Sequence, residues 1–209
     1  MDNQILGIAI AIIGAYIIGS IPAAYIAGRL RKGVDIRQVG SRNMGAMNVF
    51  YTLGFATGII VLAVDIGKGI AAVALARLLG VPMVVELLAG AAAVAGHGFS
   101  VFLKFRGGKG GATCIGVLIF LMPWGIPFYL AIFGLGLWLL HYPTLSYSIA
   151  FLCFPFVAWL KYHSWEFIVF SVVILLLPGI RYFPRIKEMR AKAGSWRQVF
   201  LRRNLKDRL

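Results

Sequence analysis

Residues 5–27 read ILGIAIAIIGAYIIGSIPAAYIA and carry no charged side chain. At about 1.5 Å rise per residue, a helix of this length spans a hydrocarbon core about 30 Å thick. Only helices and closed barrels satisfy their backbone polar groups in lipid. The run is continuously apolar and does not alternate, which selects a helix. Its flanks give its direction. Asp2 stands before it, while Arg29, Arg31 and Lys32 stand after it. A secretory leader of the usual kind has the opposite order, with basic residues first. The positive-inside rule then puts the N-terminus outside and residues 29–42 in the cytoplasm.

The same pattern extends outward along the chain. Residues 49–81 hold a second span interrupted by Asp65 and Lys68, and residues 83–103 a third containing Glu86 and His97. The basic residues Lys104, Arg106 and Lys109 follow. They return to the side of residues 29–42 if the second and third spans form a hairpin. Residues 110–160 contain no Asp, Glu, Lys or Arg. The turn signals Pro123-Trp124-Gly125-Ile126-Pro127 and His141-Tyr142-Pro143-Thr144 divide them into 111–123, 127–140 and 144–160. A last span covers 166–180. The expected fold is all-α: a polytopic helical membrane protein of about seven transmembrane helices, residues 1–209 forming one membrane domain. Five crossings would leave the C-terminus on the same side.

Composition agrees. Hydrophobic residues make up 60% and charged residues 13% of the 209, and mean hydropathy is +0.86. A soluble domain is nearer half apolar and about a quarter charged. Twenty-one Lys and Arg against seven Asp and Glu give a net charge of +14, which suits anionic partners such as lipid headgroups or a phosphorylated substrate. Nucleic acid is disfavoured, because so few residues lie outside the apolar runs. Residues 181–209 form a tail with ten Lys or Arg against Glu188 and Asp207. Its Ile186, Met189, Ala193, Trp196 and Phe200 recur at three- and four-residue spacing, as in a helix lying on anionic lipid. Cys114 and Cys153 lie in apolar runs without CxxC spacing and read as buried hydrophobes. No metal site is expected, since carboxylates are sparse and histidines scattered. No internal repeat is evident, which weighs against transporter folds built from inverted repeats.

Polar chemistry is confined to three glycine-rich segments. The first is Gly40-Ser41-Arg42-Asn43-Met44-Gly45-Ala46-Met47-Asn48. Its glycines let backbone N–H groups approach a ligand, and Ser41, Arg42, Asn43 and Asn48 add donors. The second is Asp65-Ile66-Gly67-Lys68-Gly69 inside a span. Ionisable residues within a span point to function, and Asp65 and Lys68 can pair at i, i+3. The third runs from Gly96-His97 through Lys104-Phe105-Arg106 to Gly107-Gly108-Lys109-Gly110-Gly111-Ala112-Thr113. His97 and Lys104, seven apart, would share one helix face. The Gly-Gly-Lys-Gly-Gly run would open the next helix and offer free N–H groups to a phosphate. It lacks the spacing of a Walker A loop and the Ser or Thr after the lysine, so nucleotide hydrolysis is not indicated. Together the segments read as a site for phosphate next to lipid.

At these residues the chain resembles the bacterial acyl-phosphate-dependent glycerol-3-phosphate acyltransferases. That integral membrane family carries Gly-Ser-Gly-Asn-x-Gly-Ala-Thr-Asn, Asp-x-x-Lys-Gly, and Gly-His-x-Phe-Pro followed by Lys/Arg-Gly-Gly-Lys-Gly-x-Ala-Thr, in this order and spacing. Here Arg42 stands for the second glycine, Met47 for the threonine and Ser100 for the proline. Where the family has His-Arg-x-Asn-Ile near its C-terminus, this chain has Tyr182-Phe183-Pro184-Arg185-Ile186, and no catalytic role is carried over there.

The resemblance implies transfer of a fatty acyl group from acyl phosphate to the 1-hydroxyl of glycerol 3-phosphate, at the bacterial cytoplasmic (inner) membrane. No cofactor, metal or obligate protein partner is expected. The candidate catalytic residues are His97, Lys104 and Ser41. The candidate phosphate and substrate contacts are Arg42, Asn43, Gly45, Asn48, Asp65, Lys68, Gly69, Gly107, Gly108, Lys109, Gly110 and Thr113. Donors and cations aimed at the developing charge are usually the largest catalytic contribution. Two proton acceptors stay open: His97, with an unperturbed pKa about 6.5, and a substrate phosphate, with a second pKa about 6. The rival reading is a transporter or exchanger for an organic phosphate, which needs the same loops and makes no bond.

Overall fold

The computed structural model of the chain describes residues 2–200. Every regular element among them is helical. Among the described residues, five helices are long and apolar enough to cross a membrane: Asn3–Lys32, Phe55–Leu78, Met83–Leu103, Pro143–Tyr162 and Trp165–Ala191. Two shorter apolar helices, Gly111–Leu121 and Gly125–Leu140, lie between them. The seven apolar segments read from the sequence are largely helical, some as more than one helix, and five of them hold a helix long enough to cross a membrane.

Residues 1–121 form one compact unit. In it, α1 (Asp2–Ser20) and α2 (Ala23–Lys32) are one span broken before Pro22, and α3 (Ala46–Thr52) is short. Next, α4 (Phe55–Leu78) and α5 (Met83–Gly98) form a hairpin, and α6 (Gly111–Leu121) closes the unit. The expected span in 49–81 is thus two helices, separated at Gly54, where φ is +99°. Helix α1 packs on α5 and α4, and α4 also packs on α5 and α6.

Side-chain size explains why these helices come so close. The core between α1, α4 and α5 is Ala11, Ala15, Ala72, Ala76, Ala89 and Ala93 with Val81 and Val85. At Gly19 a Cβ would strike the Ala93 backbone, and at Gly96 the Tyr16 carbonyl. Gly69 and Gly116 meet the Thr113 and Ile66 carbonyls in the same way, bringing α4 and α6 backbone to backbone. Small residues inward and large ones outward is how membrane helices associate, because lipid is as apolar as leucine. On α1, Leu6, Ile10, Ile13 and Ile17 are all exposed, while Ala11 and Ala15 are sealed.

Residues 122–209 form the second unit. It contains α7 (Gly125–Leu140), α8 (Pro143–Ala150), α9 (Cys153–Val157), a π-helical turn at Ala158–Tyr162, α10 (Trp165–Val173), α11 (Leu176–Ala193) and α12 (Trp196–Phe200). Its core is aromatic, with Tyr129 against Phe151 and Phe154 and Gly125 leaving room for the Phe154 ring. The Ser164 hydroxyl accepts from the Phe167 N–H at 3.2 Å and caps α10. The last span was expected to stop at residue 180. Instead α11 continues through Pro184 to Ala193, so the start of the basic tail is the same helix. Met189 of the tail packs with Val199 and Tyr142 in a buried cluster. The part of the tail from 201 onward lies outside the described residues.

Candidate active site

All three glycine-rich segments lie in the first unit, and they meet at His97. The first segment belongs to the loop between α2 and α3, where Asn48 is the organiser. Its amide Nδ2 donates to the carbonyls of Ile36 (2.9 Å), Val39 (3.0 Å) and Asn43 (3.1 Å). Its Oδ1 accepts from the Ser41 N–H at 2.9 Å. At 2% exposure Asn48 faces the loop from inside. Gly40, at φ +58°, lies directly beneath its amide, where no side chain fits. The loop thereby turns Ser41 and Arg42 outward, both exposed, with Arg42 itself left-handed at φ +59°. Asn43 is half-buried, and Gly45 is buried at the start of α3.

The same loop holds a pair that sequence reasoning passed over. The Arg37 guanidinium donates to both oxygens of Asp35, from Nε at 3.0 and 3.2 Å and from Nη2 at 2.7 Å. This bidentate bond holds the Asp35 carboxyl below the usual carboxylate range, against partial desolvation. Arg37 also lies 5.2 Å from the Tyr25 ring centroid, which ties the loop to α2. The only signal for it was an acidic and a basic residue two apart in a predicted loop.

The second segment faces inward. Lys68 Nζ lies 2.8 Å from Asp65 Oδ1, and both side chains are 2% exposed. Lys68 also donates to the Ile21 carbonyl at 3.1 Å, at the break between α1 and α2. Asp65 Oδ1 in turn lies 3.5 Å from His97 Nδ1. Of the two glycines here, Gly69 is the one pressed against another backbone, and Gly67 has open space around it.

The third segment departs from the expected continuous helix. Helix α5 ends at Gly98, a single 3-10 turn covers Val101–Leu103, and Lys104 and Phe105 are both left-handed at φ +53° and +60°. Lys104 is therefore not on a shared helix face with His97. It stands exposed on an outward bulge of the chain. Ser100 anchors that bulge through its hydroxyl, which donates to the Ser20 carbonyl at 2.6 Å. Tyr16 does the same from its hydroxyl to the Phe99 carbonyl, also at 2.6 Å. The chain then returns, with Gly107 N–H donating to the Gly98 carbonyl (3.1 Å) and Gly108 N–H to the His97 carbonyl (3.0 Å). A Cβ on Gly108 would collide with His97 Nε2 and with the Met44 carbonyl. Only glycine lets the third segment, the histidine and the first loop converge there. Lys109 is half-buried and Gly110 buried, and α6 opens at Gly111 as the glycine run implied. Thr113 lies farther in, sealed at the α4–α6 contact, and its hydroxyl has no hydrogen-bond partner among the described residues.

This geometry suits an anion site beside lipid, and comparison with known proteins says which. The family model described as glycerol-3-phosphate acyltransferase matches residues 9–192. The chain belongs to that family. It is 53% identical to glycerol-3-phosphate acyltransferase 2 of Dehalococcoides mccartyi, over 99% of this chain and 100% of that one. It is 50% identical to the glycerol-3-phosphate acyltransferase of Bacillus subtilis, over 66% of this chain and 72% of that one. Among solved structures it resembles PlsY, an integral membrane glycerol 3-phosphate acyltransferase, in its glycerol 3-phosphate form. There the TM-score is 0.80 at 32% identity, covering 90% of this chain and 92% of that one. The lysophosphatidic acid form of PlsY matches at TM-score 0.78 and 31% identity.

Membership settles the choice between bond-making and transport: the chain is a multi-pass membrane acyltransferase acting on glycerol 3-phosphate. Among acyltransferase residues expected to touch substrate, the fold turns Ser41, Arg42 and Lys104 outward and encloses Asn48, Asp65, Lys68, Gly69 and Thr113.

Proposed function

We propose that the chain transfers a fatty acyl group from acyl phosphate to the 1-hydroxyl of glycerol 3-phosphate, giving lysophosphatidate and inorganic phosphate, on the cytoplasmic side of a bacterial inner membrane. The observation that carries this reading is the convergence of two glycine loops on His97, with the cations Arg42 and Lys104 on the outward side of those loops. Acyl phosphate is a mixed anhydride with an anionic head and an apolar tail. It needs a phosphate nest at the edge of the bilayer, and the acceptor brings a second phosphate. Basic groups on two loops fit that demand.

In the reaction, the 1-hydroxyl oxygen attacks the acyl carbon, and the bond from that carbon to the phosphate oxygen breaks. The hydroxyl proton passes to a substrate phosphate oxygen. Lys104, Arg42, Ser41 and the backbone N–H groups of residues 107–111 stabilise the charge that develops on the carbonyl oxygen and leaving phosphate. His97 supports the glycine turn and is not the base. Its ring is 3% exposed, with Asp65 at Nδ1 and the Gly108 backbone over Nε2.

The test is direct. Protein purified in detergent receives acyl phosphate and labelled glycerol 3-phosphate. Equal amounts of lysophosphatidate and phosphate are expected. Activity with an acyl thioester donor and none with acyl phosphate would overturn the donor assignment.

A further inference from the structure

The buried charges of α4 have no place in the chemistry just described, yet they are linked to it. Asp65 stands 2.8 Å from Lys68 and 3.5 Å from His97 Nδ1. All three side chains are at most 3% exposed. The far edge of the same imidazole lies against Gly108, which also lies against the Met44 carbonyl, and the His97 carbonyl receives the Gly108 N–H. A carboxylate 3.5 Å from Nδ1 favours a proton on that nitrogen and biases the orientation of the ring. Lys68 bonds the Ile21 carbonyl as well, so the carboxylate is fixed between α1, α4 and α5.

We propose that Asp65 is a positioning residue for the phosphate loop: held by Lys68, it orients His97, and His97 sets where Gly107 and Gly108 stand beside the first loop. The inference rests on the reading that this glycine turn binds substrate phosphate. It assigns Asp65 and Lys68 a role through His97, without contact to substrate.

The experiment measures glycerol 3-phosphate affinity by ligand-dependent thermal stabilisation, with no acyl donor present, so it stays readable if acyl phosphate proves not to be the donor. Partners that orient functional histidines in metal sites typically matter by about 10- to 100-fold, and a loss on that scale is expected here. Because a lone buried charge can stop a variant folding, the pair is removed together as Asp65→Leu with Lys68→Met. The Ile21 carbonyl then still accepts from the Ala23 N–H at 3.1 Å. This protein is expected to fold and bind at least about 10-fold more weakly. Adding His97→Gln should cause no further loss, since coupled residues are non-additive. Asp65→Asn with Lys68→Met keeps an acceptor for the Nδ1 proton and should recover much of the affinity. Glu86→Gln, in the exposed Arg77–Glu86 pair at the other end of the hairpin, should leave affinity unchanged. Wild-type affinity in the folded pair-deleted protein, or a full additional loss from His97→Gln, would overturn the proposal. So would failure of the pair-deleted protein to fold, which would make the pair a requirement of the fold itself. If wild type shows no saturable stabilisation, the phosphate-site reading fails and takes this inference with it.

Discussion

At the residue scale, burial separates the groups proposed to act on substrate from the groups that hold the loops. His97 is enclosed, while Lys104 and Arg42 are exposed. His97→Gln should therefore lose activity mainly through weaker substrate binding. The limb of the rate profile near pH 6, set by substrate phosphate, should persist, and its disappearance would return the histidine to the role of base. Lys104→Ala should cost about 1.5–3 kcal/mol in kcat/KM, the value of a charge-assisted bond. Lys104→Arg should recover only part of that, because a guanidinium fork replaces a compact ammonium. Near-wild-type kcat/KM in Lys104→Ala would remove this residue from the site. Asp35 makes a pH prediction of its own. Arg37 lowers its folded pKa, so its contribution to loop stability is fully present above the unfolded value and is lost only as pH falls through the folded one. Loop protection measured by hydrogen exchange should hold from neutrality down to about pH 4 and weaken below it. Asp35→Asn should abolish that acid-side dependence.

At the element scale, the helices were legible in the sequence and their contacts were not. Apolar run length marks a span, because lipid demands one. It does not mark which face turns inward when every face is apolar. Gly67 and Gly69 look alike in sequence, yet a Cβ on Gly69 meets the Thr113 carbonyl and the Val117 N at 3.0 Å, while one on Gly67 meets nothing within 4 Å. Gly69→Ala should accordingly cost about 1–3 kcal/mol as overpacking, and Gly67→Ala should be neutral or slightly stabilising through helix propensity. Thermal unfolding in detergent reads the difference, and equal melting temperatures would mean that α4 and α6 are not packed backbone to backbone. The same limit applies to the site. The three motifs could be found by their residue types, but the end of α5 at Gly98 depends on the Ser100 and Tyr16 hydrogen bonds to distant carbonyls. Spacing along the chain carries no trace of those. The Asn48 hub is legible only as an asparagine, and whether it faces ligand or loop is decided by four backbone groups that folding brings around it.

At the scale of the whole molecule, the orientation of the chain is a prediction from charge distribution relative to the apolar helices. Basic residues gather at 29–42, at 104–109 and from 181 onward, and the longer apolar stretches lie between them. A site built from the first two clusters requires that both face the same compartment. The first loop and the third do touch, since Gly108 lies against the Met44 carbonyl. Glycerol 3-phosphate and the proposed acyl phosphate both carry charge that does not cross lipid unaided, so both must reach the site from one side, and the positive-inside rule makes that side the cytoplasm. The site should therefore open inward. Single cysteines placed at 32, 106 and 190, in a chain with Cys114 and Cys153 replaced, should resist a membrane-impermeant maleimide applied to intact cells and react after the membrane is opened. Cys114 and Cys153 are buried, so their replacement by alanine or serine must first be shown to leave lysophosphatidate formation intact. Labelling of position 32 or 106 from outside would invert the first unit and move the site to the wrong compartment. Labelling of position 190 alone would leave the site inside but require an odd number of crossings between Gly111 and the tail, which would in turn mean that one of the two shorter helices does not span.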